Sequence, residues 1–274
     1  MRSRVSIVIT RYAEPDDLVR RSLAAASGQD DVNGEVLFID QMPDSGISEL
    51  DFAGTALPVR IISASLSGLS AARNLGIENA RSNLVLFLDA DAIADPGWAA
   101  TMARALGGPY AVAGSRILPG WPAEPPFYAR AGIVIDQYSM FDLGPATKPY
   151  PRVVGAAFGI DKDKLPSGLR FSEALGRRGG KLFSGEESDF CARAREAGAR
   201  IAYVGECAVV HLVQSDRIKL GWILRRFYYA GLSRSHQGGT PSPASDRGLW
   251  DWIVLPLVLP PYALGWARGK LRRG

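Results

Sequence analysis

Short, predominantly apolar runs alternate with longer amphipathic segments in the first third of the chain. The apolar runs lie at residues 5–9, 36–39, 59–62 and 84–88. Segments between them, at 17–26 and 70–80, have the spacing of apolar residues that is typical of helices. Apolar strands separated by helices indicate a parallel sheet that is covered on both faces. The pattern therefore predicts an α/β fold, in which ligands bind beyond the carboxyl ends of the strands.

The middle of the chain is less regular. Residues 119–151 are rich in proline, glycine and aromatic residues, and long excursions of this kind often form lids or binding surfaces. We expect one strand within this excursion, at 132–135. Farther along, the pattern predicts a helix at 184–199, followed by strands at 200–204 and 208–210.

The end of the chain predicts a helical tail with two open interpretations. Residues 218–233 have apolar residues at helical spacing, and a Gly/Pro/Ser linker follows at 237–248. Residues 252–267 are uncharged, but this stretch is shorter than the about 20 residues that span a bilayer, and its three prolines disfavour a regular helix. Flanking aromatic residues and a basic end suit peripheral membrane attachment. Packing of this segment on the rest of the fold is the equally weighted alternative.

Composition narrows the class of protein. The 274 residues are 47% hydrophobic and 22% charged, with a formal net charge of +4. These values suit one large α/β domain with a tail, and they give no support for a nucleic-acid partner. The two cysteines, Cys191 and Cys207, lack the spacing of a zinc site and predict no disulfide. The expected compartment is therefore the reducing cytoplasm.

The strongest chemical signal is a pair of aspartates, Asp89 and Asp91, directly after the fourth apolar run. Two carboxylates this close repel each other unless a cation lies nearby, and Mg²⁺ typically binds one or two carboxylates together with substrate phosphates. Capping of the next helix is the alternative role. However, Asp95 and Pro96 already supply an N-cap and a first-turn proline for a helix at 97–106. The pair therefore predicts a metal site.

Weaker signals follow other predicted strands or begin a helix. Tyr12 either stacks on a base or covers the end of the sheet. Asp40 either accepts hydrogen bonds from a base or forms an ordinary Asx turn. Arg73 adds positive charge near a helix start, where anions are favoured, although a surface arginine on a capped helix is the simpler interpretation.

A cluster of acidic residues begins the helix predicted at 184–199. Glu186 and Glu187 are candidates for a general base, because neighbouring carboxylates raise the pKa of such a group toward neutral pH. The alternative is a capping box formed by Ser184 and Glu187. His211, at the end of a predicted strand, either completes a metal site or merely ends that strand.

Together these segments resemble glycosyltransferase family 2, whose members have the GT-A fold. The matching blocks are VSIVITRYAEP at 5–15, EVLFIDQ at 35–41, GLSAARNLG at 68–76, LDAD at 88–91, LGRRGG at 175–180 and GEESDF at 185–190. Each block is weak alone, but their order and spacing are specific. The resemblance covers roughly residues 4–215.

The resemblance implies a mostly parallel central sheet flanked by helices. A GT-A domain would occupy 1–215, with a Rossmann-like nucleotide-binding half at about 1–110 and an acceptor-side half at about 111–215. A C-terminal helical tail, with possible membrane contact through 249–274, would occupy 216–274.

The resemblance also implies roles for individual residues on the donor side. The residues that would bind the nucleotide are Thr10, Tyr12, Glu14, Asp40 and Arg73. Asp89 would reach the ribose or the metal, and Asp91 with His211 would ligate the Mn²⁺ or Mg²⁺ ion that bridges the diphosphate. Gln41 stands where the family usually has a second aspartate, so UDP is only the default nucleotide.

The implied reaction inverts the configuration at the sugar C1. Glu187 would take the proton of an acceptor hydroxyl, and the metal would stabilise the departing diphosphate. Glu187 replaces the commoner aspartate of the family, so Glu186 stays open as the alternative base. The implied acceptor is a glycan or lipid-linked molecule, reached in the cytoplasm or at the cytoplasmic face of the membrane.

Two other functions remain to be separated from glycosyl transfer. A sugar nucleotidyltransferase also combines an α/β sheet, a metal and a nucleotide, but its glycine-rich N-terminal signature is absent here. A non-catalytic protein that only binds nucleotide sugars is the second alternative, although Asp89, Asp91 and Glu187 are all retained.

Overall fold

The computed structural model describes residues 2–42, 45–65, 68–175, 184–236 and 248–271. The predicted block at 176–180 and almost all of the predicted linker at 237–248 lie outside the described residues.

The described residues form one mixed sheet of nine strands with helices around it. Its strands are β1 (Ser3–Arg11), β2 (Val32–Asp40), β3 (Val59–Ser63), β4 (Leu84–Asp89), β5 (Ala92–Ala94), β6 (Val112–Gly120), β7 (Lys148–Pro149), β8 (Ala157–Asp161) and β9 (Ile201–Leu212). Their order across the sheet is β3-β2-β1-β4-β8-β6-β9-β5, and β7 pairs with β9.

Helices alternate with strands in the first part of the chain, as the sequence predicts. They are α1 (Asp16–Ser27), α2 (Leu69–Asn79), α3 (Trp98–Gly107), α4 (Gly132–Ile135), α5 (Glu186–Glu196), α6 (Leu220–His236) and α7 (Leu249–Leu271).

The first four strands confirm the predicted parallel sheet. β1 lies between β2 and β4 and runs parallel to both, while β3 adds to the outer edge of β2. The register pairs Thr10 with Asp89 and Arg11 with Asp40, so the strand ends predicted to carry chemistry meet at one edge. These strands are buried along most of their length, which explains their nearly continuous apolar runs.

The second half adds antiparallel strands to this frame. β8 runs antiparallel to β4, and β9 runs parallel to β6 across a shift in register. β9 is one strand where the sequence predicted two, because it continues through the region between 204 and 208. The predicted strand at 132–135 is wrong: these residues form the short helix α4, in which the N–H of Ile135 donates to the carbonyl of Ala131.

Two predicted helix caps are also wrong. The N-cap of α3 is Gly97, and the carboxylate of Asp95 instead accepts from the backbone N–H of Ala208 on β9, at 3.2 Å. The N-cap of α5 is Gly185, which makes no side-chain cap, so Ser184 and Glu187 do not form a capping box. In both cases, an acidic side chain that the local sequence pattern assigned to a helix cap instead accepts a hydrogen bond from a distant residue: Asp95 from Ala208, and Glu187 from Arg73.

An aromatic stack connects the sheet to the start of α5. The rings of Phe87 and Phe158 stack at 4.6 Å, and the rings of Phe171 and Phe190 stack at 4.5 Å. Phe171 also contacts α2 through two hydrogen bonds. The side-chain amide of Asn74 donates to the carbonyl oxygen of Phe171 and accepts from its backbone N–H. These contacts bring the first turn of α5 close to the carboxyl end of β4.

The tail packs on the rest of the fold. α7 crosses α6 so closely that a Cβ on Gly231 would lie 2.0 Å from the carbonyl oxygen of Tyr262. Asp251 of α7 also accepts from the backbone N–H of Ile133, at 2.7 Å. α7 is a continuous helix despite three internal prolines, so tertiary packing outweighs their unfavourable helix propensity. No described helix is long and apolar enough to cross a membrane.

Candidate active site

A pocket of about 330 Å³ lies where the parallel strands end. Its lining includes the ends of β1 and β4 and the first turn of α5. The tail helices contribute further lining residues, so the tail is part of the pocket wall. The charged residues lining the pocket are Glu14, Arg73, Asp89, Asp91, Asp136, Arg152, Glu186, Glu187, Arg226 and Arg234.

Asp89, Asp91 and His211 form a cluster that could hold a metal ion. Each offers one ligand atom, and the three atoms lie within 4.8 Å of one another. β5 pairs with β9 so that Ala92 faces His211, which brings the imidazole to the carboxylate that precedes β5. Nε2 of His211 lies 3.0 Å from Oδ1 of Asp91.

The donor set of this cluster suits Mg²⁺ or Mn²⁺. Carboxylate oxygens are ligands of both ions, while an imidazole nitrogen suits the softer Mn²⁺ better than Mg²⁺, which prefers oxygen. Two adjacent ligands of an octahedral ion at about 2.1 Å are separated by about 3.0 Å, and the distance from Asp91 to His211 matches this separation. The residues therefore fit a divalent cation. The same distance is that of an ordinary hydrogen bond between His211 and Asp91, so the role of His211 as a ligand stays a prediction.

Sequence reasoning missed a second partner of Asp91. Nη1 of Arg217 lies 3.2 Å from Oδ2 of Asp91, and both side chains are largely buried. The two carboxylate oxygens thus face different groups, the imidazole and the guanidinium. The only sequence signal for Arg217 was a basic residue shortly after β9, which has no specificity by itself.

Arg73 is the centre of a second charged cluster. Its side chain is only 2% exposed, and Nη1 donates to Oε1 of Glu187 at 2.9 Å and to Oε1 of Glu186 at 3.2 Å. Nη2 donates to the carbonyl oxygen of Gly155 at 3.0 Å and lies 3.6 Å from Oδ1 of Asp89. The interpretation of Arg73 as a surface arginine on a capped helix is therefore wrong.

The two glutamates differ in the direction of their pKa shifts. Burial, together with the neighbouring carboxylate of Glu187, raises the pKa of Glu186 to about 8. Burial also acts on Glu187, but the charge of Arg73 and hydrogen bonds from the backbone, Glu186 and Arg73 outweigh it and lower the pKa of Glu187. Two interacting carboxylates of this kind titrate as a pair, and the raised pKa of Glu186 favours one proton on the pair at neutral pH.

Close approach to Glu187 explains the glycine at position 155. A Cβ there would lie 1.8 Å from Oε1 of Glu187 and 2.7 Å from Nη2 of Arg73. Any side chain at this position would displace the ion pair. The sequence alone gave no indication of this requirement, because the contact joins residues that are far apart in the chain.

The predicted nucleotide-binding residues of the first loop lie together. Thr10, Tyr12 and Glu14 all line the pocket. The ring of Tyr12 is 45% exposed, while the carboxylate of Glu14 accepts from the backbone N–H groups of Tyr12 and Ala13. Their role in holding a nucleotide stays a prediction.

Asp40 lies slightly away from the other candidates. It is buried, and its carboxylate accepts from the backbone N–H of Met42 at 2.9 Å, which is the Asx turn considered from the sequence. Oδ2 also lies 3.7 Å from the guanidinium of Arg11. Gln41, rather than Asp40, is among the described residues that line the pocket, so binding of a base by Asp40 stays a prediction.

The tail residues in the pocket were not predicted. Arg226, Ser233 and Arg234 come from α6, and Tyr262 comes from α7. The sequence pattern identified these helices only as amphipathic or apolar. Which face of a helix meets a pocket depends on packing that no local pattern encodes.

The comparisons with known proteins identify a family for the chain. The family model described as glycosyl transferase family 2 matches residues 6–149, which is more than half of the chain. The match includes the strands and loops that carry Thr10, Tyr12, Asp40, Arg73, Asp89 and Asp91.

Two curated glycosyltransferases are similar in sequence to this chain over part of their lengths. A glucosyl-dolichyl phosphate glucuronosyltransferase of Haloferax volcanii is 26% identical over 171 residues, covering 61% of this chain and 55% of the relative. A pre-mycofactocin glycosyltransferase of Mycobacterium tuberculosis is 28% identical over 236 residues, covering 81% and 47% respectively. The chain thus spans about half the length of these relatives.

The crystal structure of GalNAc-T7 with UDP, GalNAc and Mn²⁺ is similar in fold. The TM-score is 0.57 at 15% sequence identity, and the alignment covers 85% of this chain and 51% of the other. This similarity supports the GT-A fold.

Proposed function

The chain belongs to glycosyltransferase family 2, and from this we propose that it transfers a sugar from a nucleotide-sugar donor to a hydroxyl group. The observation that carries the proposal is one pocket lined both by Asp89 and Asp91 of the candidate metal cluster and by Glu186 and Glu187. UDP is the default donor nucleotide. The acceptor is a glycan or a lipid-linked molecule, and the configuration at C1 is inverted.

On the donor side, Thr10, Tyr12 and Glu14 bind the nucleotide beside Asp89. Asp89, Asp91 and His211 hold the divalent cation, Mn²⁺ or Mg²⁺, which supplies the positive charge that a departing diphosphate requires. Asp40 and Gln41 lie at the neighbouring strand end and shape the nucleotide-base side of the site.

On the acceptor side, Glu187 faces the same pocket as Asp89 and is the base in our proposal. Its carboxylate accepts the hydroxyl proton as the acceptor oxygen attacks C1, and the bond from C1 to the diphosphate oxygen breaks on the opposite face. Glu186 is more deeply buried than Glu187 and its pKa is raised by that burial, whereas the charge of Arg73 lowers the pKa of Glu187; these differences favour Glu187 for this role.

We propose that residues 1–215 form the catalytic domain and that residues 216–274 form the tail. The donor half is about 1–110, and the acceptor-side half is about 111–215. Because Arg226 and Tyr262 line the pocket, the tail in this proposal contributes to acceptor binding.

We further propose that the outer face of α7 contacts the cytoplasmic face of a membrane. Most of the large apolar side chains that are exposed in the described residues lie on this helix: Leu249, Trp250, Trp252, Ile253, Leu257, Leu259, Leu264 and Leu271. Its one acidic residue, Asp251, is buried, while Arg268 and Lys270 suit anionic headgroups. A lipid-linked acceptor agrees with this surface and with the dolichyl phosphate in the name of the Haloferax volcanii relative.

Substitutions on the outer face of α7 test the membrane contact. We expect the full chain to float with vesicles of phosphatidylcholine and phosphatidylglycerol, and Trp252→Glu combined with Leu264→Glu to reduce the bound fraction at least about 10-fold, because both side chains would otherwise enter the interface. Leu50→Glu is the control for adding a charge at an exposed apolar position, since Leu50 is even more exposed than Trp252 or Leu264 but lies far from α7 in the chain. Absence of wild-type flotation, or equal flotation of all three proteins, would contradict the proposal.

Product analysis with a panel of nucleotide sugars tests the transferase activity. We expect release of a nucleoside diphosphate from one donor with Mn²⁺ or Mg²⁺, and loss of this release with EDTA, because the departing diphosphate then lacks its cation. Release of pyrophosphate from a nucleoside triphosphate and a sugar phosphate would instead indicate nucleotidyl transfer. Tight donor binding without any product would indicate a non-catalytic binding protein.

A further inference from the structure

Arg73 is held in one orientation by groups on several sides. Its guanidinium lies 5.4 Å from the ring centroid of Phe158 and 5.6 Å from that of Phe171. The carbonyl oxygen of Gly155 accepts from Nη2 at 3.0 Å. A planar guanidinium fits between aromatic rings and donates in fixed directions, which a lysine ammonium cannot reproduce. Arg73 therefore presents Nη1 to the first turn of α5 in a fixed position.

Two carboxylates converge on that one nitrogen. Oε1 of Glu187 lies 2.9 Å and Oε1 of Glu186 lies 3.2 Å from Nη1 of Arg73. With Asp89 at 3.6 Å, three carboxylates surround one guanidinium. Because Asp89 belongs to the candidate metal cluster, only the two glutamates count here: if both were ionised, they would leave one excess negative charge at this buried guanidinium, which is costly away from water. A proton held within the cluster removes part of this cost.

Glu186 is the more deeply buried of the two glutamates. Its Oε2 is buried and has no hydrogen-bond partner among the described residues. A proton shared by the pair lets one carboxyl donate to the other, which lowers the cost of burying both. Glu187, whose side chain is 15% exposed against 4% for Glu186, retains access to the pocket.

We propose that Arg73 and Glu186 are positioning residues that hold Glu187 in place as the base, an inference that rests on the glycosyl transfer proposed above. In the reaction, the acceptor O–H bond breaks and its proton passes to Glu187. The acceptor oxygen forms the new bond to C1, and the electron pair of the bond from C1 to the donor oxygen leaves with the diphosphate. Arg73 and Glu186 touch Glu187 and act through it.

Several charged groups and one buried, neutral thiol face the region around Glu187, and each of them can affect the titration of its carboxyl. Arg73 comes from α2 and Asp89 from the end of β4, while Glu186 and Cys191 lie on α5 itself. Arg152, Asp136, Arg226 and Arg234 line the same pocket. Among these groups, the charge of Arg73 lowers the pKa of Glu187 most strongly, against the opposing effect of burial.

The pH dependence of nucleotide release tests the positioning role of Arg73. Arg73→Met removes the positive charge, so we expect the acidic limb of kcat/KM to move to higher pH by roughly 1–3 units. Arg73→Lys keeps the positive charge but lacks the planar guanidinium with its fixed donor directions. For this variant we expect a smaller shift of the acidic limb and a lower maximal kcat/KM. Circular dichroism establishes that each variant is folded. For a folded variant that is inactive, ¹³C NMR titration of the glutamate carboxyls measures the same shift directly.

Arg60→Met is the matched control for loss of a partly buried ion pair. Arg60 contacts Glu35 at 3.1 Å near the start of β2, away from the pocket. We expect this variant to lose stability while its pH profile stays at the wild-type position. An unchanged profile in active Arg73→Met, with unchanged carboxyl titration, would overturn the positioning role.

Substitutions of Glu186 distinguish its role from that of Glu187. Glu186→Gln keeps an N–H donor beside Glu187, so we expect activity within about 10-fold of wild type, whereas Glu186→Leu removes the donor and should raise the pH of the acidic limb. Loss of activity in Glu186→Gln together with an active Glu187→Gln would overturn the inference and make Glu186 the base. A wild-type chain that is inactive on every donor would instead contradict the proposed function itself.

Discussion

Glu187→Gln should reduce the rate of sugar transfer by about 100- to 10,000-fold, the usual contribution of a positioned general base. The substitution keeps the size and the contact with Arg73 but removes the ability to accept a proton. Donor binding should stay within a few-fold of wild type, because the metal cluster and the first loop are untouched. Initial rates and titration calorimetry with the nucleoside diphosphate measure the two effects separately.

Asp189→Asn is a suitable control for this prediction. Asp189 lies two residues farther along α5, and its carboxylate pairs with Arg193 of the same helix at 2.7 Å. A helix of this kind tolerates loss of an exposed i,i+4 pair at a cost of about 0.3–0.5 kcal/mol. Transfer by Asp189→Asn should therefore stay near wild type. A Glu187→Gln variant that is equally active would exclude Glu187 as the base.

The donor side of the fold was predictable because its signals are local. Each parallel strand is a short apolar run that ends at a polar residue, and parallel strands place their carboxyl ends at one edge. The spacing of Asp89 and Asp91 after β4 therefore located the candidate metal cluster before any contact was known. His211 was a weaker prediction, since its approach to Asp91 depends on pairing of β5 with β9.

The acceptor side was less predictable because its contacts join distant segments. Arg73 and Glu187 are separated by 114 positions in the chain, and neither the charge of one nor the helix start of the other indicates their contact. The same limit explains Asp95, whose spacing fits a helix cap but whose carboxylate binds the backbone of β9. A helix-cap prediction made from local sequence therefore fails when the acidic side chain finds a hydrogen-bond donor in a distant segment.

α7 illustrates the same limit for packing. Its prolines argue against a regular helix in isolation, yet glycines at the crossing with α6 allow the two backbones to approach closely. The sequence left membrane contact and packing as alternatives. The structure describes a helix that packs through one face while an apolar face remains exposed, so the two interpretations are compatible.

Asp91→Asn should lower metal-dependent nucleotide release by at least about 100-fold, comparable to the loss of one preorganised charge-stabilising group. Asparagine keeps the shape of the side chain but removes a negative charge that faces both His211 and Arg217. The affinity for Mn²⁺ alone should fall as well, because an amide oxygen is a weaker ligand than a carboxylate. Electron paramagnetic resonance of free Mn²⁺ measures this affinity without any turnover.

Asp95→Asn is the control that shows whether the effects of Asp91→Asn are specific to the candidate metal cluster. Asp95 is four residues away and exposed, and it accepts from the backbone N–H of Ala208. Its substitution should affect stability slightly and leave both Mn²⁺ affinity and nucleotide release near wild type. Because Asp91 binds Arg217 as well as His211, a loss of release with unchanged Mn²⁺ affinity would assign Asp91 to anchoring Arg217. Equal loss of both quantities would assign it to the metal.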